Sequence, residues 1–239
     1  MPRGTGCGRR CWRSRDLKDR RSHWPAVQGF YHALAETPDL ALVTDGWGES
    51  WQIMATSYKP YPCGFVIHPV LDCVLDWRRD HPTAVVTRVV VRGHPLLSVR
   101  TDRPEISTGR ESQVSVQHAV AAALVTGRAG LDQFTDACAR DPNVVALRSK
   151  VEVLRDNGLS TTAAAVDITT ADGNIHKLSQ SAARGSDANP LADGDLEAKL
   201  RTAAAGWNSR YDATPLIDAI WTLDQSADVS GLASLAVPK

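Results

Sequence analysis

The chain has 239 residues, 43% of them hydrophobic, with 27 basic side chains against 27 acidic ones and no net charge. That length and apolar share exclude a disordered or collagen-like chain, and they suffice for a core without disulfide or metal staples. The longest interior stretch free of Asp, Glu, Lys and Arg, Ser112 to Gly127, includes Gln113, Ser115, Gln117 and His118, so no segment is long and apolar enough to span a bilayer.

In chain order, the first segment is basic. Residues 1–22 carry Arg3, Arg9, Arg10, Arg13, Arg15, Lys18, Arg20 and Arg21 against Asp16 and Asp19, which leaves residues 23–239 with a net charge of −6. A mildly acidic body argues against nucleic acid as the partner, because that binding needs phosphate-neutralising charge on the folded surface. Trp12 is the only aromatic residue of the basic segment 1–22, so no base-stacking platform exists there. It also lacks the apolar run of a secretory signal and the acid-poor amphipathicity of a transit peptide. Residues 1–24 are therefore read as a disordered leader outside the fold, and residues 25–239 as the folded domain. The five cysteines, Cys7, Cys11, Cys63, Cys73 and Cys138, are odd in number and widely spaced. They form a poor disulfide framework and point to a reducing cytoplasm. Cys7 and Cys11 have no second Cys/His pair nearby to complete a zinc site, and no metal is expected.

Structure is expected to begin near Pro25, ahead of Phe30-Tyr31 and Leu40-Ala41-Leu42-Val43. Asp45-Gly46 marks a turn, and Trp51-Gln52-Ile53-Met54 alternates like a short strand. After a Pro-rich turn at Pro60–Gly64, apolar Ile67, Val70, Leu71, Val74 and Leu75 recur at three and four residues. This predicts a helix with one apolar stripe that ends before His81-Pro82. Val86 to Arg92 is a Val-rich strand with Arg88, Val90 and Arg92 on one face. Gly93 to Arg110, with Pro95, Pro104 and Gly109, reads as a long loop of a length that often carries function. A second helix is predicted from Gln113 to Thr126, closed by Gly127. Asp141-Pro142 opens a short helix toward Lys150. Strands follow at 151–155 and 165–170, and Asp172-Gly173 turns the second into a hairpin with 174–179. Gly185 to Pro190 is loop, Asp193 caps a helix toward Ala205, and Ile217, Ile220, Trp221 and Leu223 suggest a last helix before a loose tail. Antiparallel hairpins dominate, so the fold class is α+β, a two-layer sandwich of a mostly antiparallel sheet and helices.

The chemistry concentrates in Ser57-Tyr58-Lys59-Pro60-Tyr61-Pro62-Cys63-Gly64. Two prolines fix the backbone around Lys59, which Tyr58 and Tyr61 flank. An ammonium held this way suits a substrate carboxylate or a developing oxyanion, and the positive end of the following helix points to the same region. A surface Lys on a Pro-rich turn, with Tyr61 packed beneath, is the structural alternative. His68 lies near that helix end, where an acid, a base or a hydrogen-bond donor is useful. His68 and Asp72 are four apart on one helical face, which fits either an Asp-oriented catalytic His or a local structural pair. His118, in an apolar helix, reads as a core histidine, and Cys63 as packing. Arg100, Arg103 and Arg110 either clamp carboxylates or form a solvated loop. No nucleophile elbow occurs.

The string Ser57–Gly64 resembles the lysine-bearing loop of the MmgE/PrpD family. Collinear similarities follow at Val91-Arg92-Gly93-His94-Pro95-Leu96-Leu97, Asp102-Arg103-Pro104, Ser115-Val116-Gln117-His118-Ala119-Val120-Ala121, Gly127-Arg128-Ala129-Gly130-Leu131 with Phe134, and Gly185-Ser186 through Asn189-Pro190-Leu191. The resemblance runs from Gly29 to the final helix and matches the back half of a family chain. The family includes 2-methylcitrate dehydratase, cis-aconitate decarboxylase and iminodisuccinate epimerase, which act on small polycarboxylates without a metal and usually form homodimers. It implies a lyase of the dehydratase type, with proton abstraction next to a carboxylate and no cofactor. Lys59 and His68 are the implied catalytic residues, with Tyr58, Tyr61 and Arg103 as substrate-binding residues. The partners implied are a di- or tricarboxylate substrate, a second copy of the chain, and a helical N-terminal domain that supplies most catalytic His and Asp residues. Without that domain the chain alone is expected to be inactive. Where the decarboxylase branch has a His soon after the lysine, this chain has Cys63-Gly64. Where that branch has a Tyr in the long loop, this chain offers Arg100. Both departures argue against decarboxylation. An isomerase or epimerase of the same family, and a non-catalytic dimerisation or remnant domain, are the alternatives.

Overall fold

The computed structural model describes residues 30–237, so the basic leader, with Cys7 and Cys11, lies outside the described residues. The chain divides into two compact units, Met1–Ala55 and Thr56–Lys239. In the first, helix α1 (Phe30–Leu34) is followed by single 3-10 turns at Ala41–Val43 and Gln52–Ala55, and none of these residues is buried. The strand expected at Trp51–Met54 is therefore a 3-10 turn. Among the described residues no strand pairs with it, and the backbone closes locally with Met54 N–H donating to the Trp51 carbonyl at 2.9 Å.

The second unit is built on a four-stranded sheet of β1 (Val86–Gly93), β2 (Val151–Arg155), β3 (Ala164–Thr170) and β4 (Ile175–Gln180). The strand order is β2-β1-β3-β4. Strands β1 and β2 are parallel, and the other two pairings are antiparallel. The sheet is thus mixed but mostly antiparallel, and the fold is α+β. On one face of β1, Val89 and Val91 are fully buried and join Val166 and Ile168 of β3 in the core. The opposite face carries charge across strands: Arg88 pairs with Glu152, and Arg92 with Asp167 at 2.8 Å. One face apolar and one face charged is the pattern of a sheet covered by helices on one side.

Helix α2 (His68–Asp80) follows the apolar stripe read in the sequence, with Val70, Leu71 and Val74 fully buried against the sheet. It stops at His81, whose backbone leaves the helical region (φ −127°, ψ 61°) just before Pro82. Helix α5 (Val116–Thr126) starts three residues later than expected, because Ser115 caps it by accepting from His118 N–H. It ends at Gly127 in the left-handed region, φ 70°. The expected loop from 93 to 110 is in fact interrupted by α3 (Pro95–Thr101) and α4 (Gly109–Ser112). Pro95 stands at the first helical position, and the His94 ring caps the Leu96 N–H at 3.1 Å. Proline there opens a helix rather than breaking it. Leu97 is then buried. Helices α6 (Asp136–Arg140) and α7 (Pro142–Arg148) follow, the latter capped by Asp141.

The C-terminal helices are α8 (Asp193–Trp207), α9 (Thr214–Trp221) and α10 (Ser230–Leu235). Ala192, not Asp193, holds the cap position of α8, and Asp195 reaches back to the Ala192 N–H at 3.2 Å. Among the described residues, no helix is long and apolar enough to cross a membrane.

Candidate functional site

The Lys59 loop is tied down from two directions. Tyr58 N–H donates to the Gly185 carbonyl at 2.7 Å, and the Lys199 ammonium donates to the Lys59 carbonyl at 2.7 Å. Gly185 sits at φ 84°, and a Cβ there would lie 2.2 Å from the Tyr58 carbonyl oxygen, so only glycine fits the contact. Beyond the prolines, Tyr61 is buried and its hydroxyl donates to Asp72 at 2.7 Å. The second Asp72 oxygen accepts from Arg184 N–H at 2.8 Å. One buried carboxylate thus joins the loop, α2 and the segment after β4. Burial, reinforced by the neighbouring Asp72 charge, raises the Tyr61 phenol well above its ordinary range and keeps it protonated.

These segments wall a cleft of about 790 Å³ in which Lys59, Arg79, Arg128, Arg184 and Lys199 face Asp72, Asp76 and Asp195. Five cations against three acids leave an excess of two positive charges. Every acid is engaged: Asp72 as above, Asp76 with Arg79 at 2.9 Å, and Asp195 with Arg184 at 3.0 Å. Among the described residues, the Lys59 and Lys199 ammoniums and the Arg128 guanidinium enter no ion pair. The arrangement suits an anion with more than one negative charge.

The structure brings Lys59 and Tyr61 into the cleft wall, with Tyr58 exposed beside them. His68 is fully buried and does not line it. Its ring packs edge-on against Tyr61, and its Nε2 lies 3.4 Å from the Cys63 carbonyl. The other ring nitrogen has no hydrogen-bond partner among the described residues. Burial lowers the His68 pKa to about 4, only partly countered by the Cys63 contact and deepened by the charges of Lys59 and Lys199. The imidazole is therefore neutral at pH 7. Asp72 does not orient it, since both carboxylate oxygens are given to Tyr61 and Arg184.

Arg103 is exposed and outside the cleft. Its backbone N–H donates to Gln117 at 3.1 Å and its carbonyl accepts from Ser115 at 2.6 Å. His118 is a core residue, fully buried with Nε2 2.7 Å from the Gln133 carbonyl. Cys63 is buried too, and burial pushes its thiol up to about 12, which makes it inert packing. Among the described residues, no group of three or more His, Cys, Asp and Glu gathers to hold a metal ion.

Sequence reasoning about chemistry misses Arg128, Arg184 and Lys199. The signal for the first lies in the string Gly127-Arg128-Ala129-Gly130-Leu131, every residue of which lines the cleft. The family model for the MmgE/PrpD C-terminal domain matches residues 61–225, more than half of the chain. The match includes Tyr61, His68, Arg128, Arg184 and Lys199 and begins two residues after Lys59. No curated protein matches the chain.

Proposed function

The chain belongs to the MmgE/PrpD family through its C-terminal domain, and from that membership we propose that its second unit is the carboxylate-binding part of a lyase acting on small di- or tricarboxylates. The observation that carries this reading is the cleft's excess of two positive charges, with Lys59, Lys199 and Arg128 in no ion pair among the described residues. The chemistry removes a proton next to a carboxylate and expels a β-leaving group such as water, giving an unsaturated polycarboxylate. The charge that develops on the substrate is an enolate, and a fixed ammonium beside it lowers the barrier. Lys59 supplies that ammonium, held in place through its own carbonyl by Lys199. Tyr61 keeps the loop rigid, and neutral His68 packs behind it without competing for the substrate.

A carbon-bound proton also needs a base in reach. Asp72, Asp76 and Asp195 are engaged, and His68 is sealed from the cleft. In this reading the base comes from a helical partner domain docked across the cleft. The assembly is a homodimer in a reducing compartment. The test is proton NMR in deuterated water with 2-methylcitrate, citrate and cis-aconitate. The chain alone should bind these acids without turnover, and adding a helical domain from a relative should produce exchange with loss of water from the two hydroxy acids and addition of water to cis-aconitate. Exchange without that loss identifies an isomerase or epimerase instead. Turnover by the chain alone, abolished by Lys59→Ala, contradicts the borrowed base. The engaged state of every cleft acid also favours a second reading, a non-catalytic domain, which is the answer if no carboxylate binds.

A further inference from the structure

We infer that Arg128 is the second carboxylate anchor of the cleft and the residue that makes it prefer dianions to monoanions, an inference that rests on the carboxylate-binding reading above. Each of the five cleft cations can be accounted for. Arg79 is held by Asp76 at 2.9 Å and Asp80 at 3.3 Å. Arg184 is held by Asp195 at 3.0 Å. Lys199 enters no ion pair among the described residues, but its ammonium donates to the Lys59 carbonyl and so acts on the Lys59 side of the cleft. That leaves Lys59 and Arg128, which come from different elements, the loop before α2 and the turn after α5.

The backbone of Arg128 is built to present its side chain. Gly127 turns the chain in the left-handed region, with its N–H held by the Ala123 carbonyl at 2.8 Å. Arg128 N–H then donates to the Thr126 hydroxyl at 3.2 Å, and Ala129 is buried in the core. The residue is thus fixed on both sides while its side chain is exposed at the cleft wall. A guanidinium offers a planar fork that matches a carboxylate with two parallel hydrogen bonds, which an ammonium cannot do. A monocarboxylate seated at Lys59 gains nothing from Arg128, whereas a ligand with a second carboxylate gains a charge-assisted pair. The competing explanation is that Arg128 only offsets the negative C-terminal end of α5. That role predicts an effect on stability with no dependence on ligand charge.

The probe pair is succinate and its monomethyl ester, of similar length but differing by one charge, titrated by NMR into the full chain and its variants. The unsubstituted chain should bind succinate about tenfold more tightly than the ester, the worth of one charge-assisted pair. Arg128→Leu should bring succinate down to the level of the ester and leave the ester within twofold of its original affinity. Arg128→Lys should restore part of the preference. A thermal melt of each variant checks that the fold is retained, and Arg128→Gln serves if the leucine variant melts early. Equal weakening of both ligands, or no change in either, overturns the anchor while leaving the carboxylate reading intact. Failure of the unsubstituted chain to bind either ligand overturns both.

Discussion

The buried imidazole of His68 makes stability fall in acid by an amount that can be worked out. Its pKa is about 4 in the folded chain and takes the ordinary value of 6.5 once unfolded. The unfolded state therefore binds more protons between these values, so the contribution is complete above pH 6.5 and is lost as pH falls toward 4. One unit of pKa shift corresponds to about 1.4 kcal/mol, and moving from about pH 7.5 to about pH 4.5 costs the fold roughly 2–3 kcal/mol through this residue. The structural cause is specific: protonation would place an N–H on the ring nitrogen that has no acceptor in its buried site. Urea midpoints of the unsubstituted chain and of His68→Leu, measured across this range, isolate the effect from that of other titrating groups. His118, also lowered by burial, acts in the same direction but is common to both chains. The unsubstituted chain should lose roughly 2–3 kcal/mol more than the variant on acidification. Parallel stability curves, or an NMR titration of the His68 ring near 6.5, would refute the reasoning.

Two further substitutions probe the scaffold of the site. Tyr61→Phe removes the hydroxyl that donates to buried Asp72 and should cost ~1.5–3 kcal/mol by chemical denaturation, because a charged acceptor is left short of a donor; a cost near zero would mean the carboxylate is otherwise solvated. Gly185→Ala adds a Cβ to a left-handed backbone and drives it into the Tyr58 carbonyl, so it should cost about 1–3 kcal/mol and weaken carboxylate binding by freeing the Lys59 loop, and unchanged affinity would show that the loop needs no clasp.

The elements with local signals are legible in the sequence. The 68–80 helix follows from apolar residues at three- and four-residue spacing and ends where Pro82 forbids continuation. The strand at 86–93 follows from its valines, and the charged partners of Arg88 and Arg92 confirm the face assigned to them. The segment 93–110 is misread because Pro95 and Pro104 look alike in sequence. Pro95 nevertheless opens a helix, with His94, an unusual cap, supplying the acceptor. Trp51–Met54 is misread because alternation predicts a strand only if another strand pairs with it. The Lys59 loop is legible from its prolines and tyrosines. What surrounds it is not, since Lys199 reaches the Lys59 carbonyl across 140 residues. The pairing of His68 with Asp72 fails for a related reason: helical spacing makes them neighbours, but Tyr61 and the Arg184 backbone offer that carboxylate better-placed donors.

The central claim is that the cleft around Lys59 binds small polycarboxylates, and isothermal titration of citrate into the full chain and into Lys59→Ala tests it most directly. Lys59 is exposed at the cleft wall, and its side chain makes no ion pair among the described residues, so its removal should leave the melting temperature unchanged. The account predicts measurable citrate binding that weakens with salt, as ionic recognition in an open cleft must, and a loss of at least tenfold in the variant. Equal affinity in the two chains, or no binding by the unsubstituted one, would contradict it.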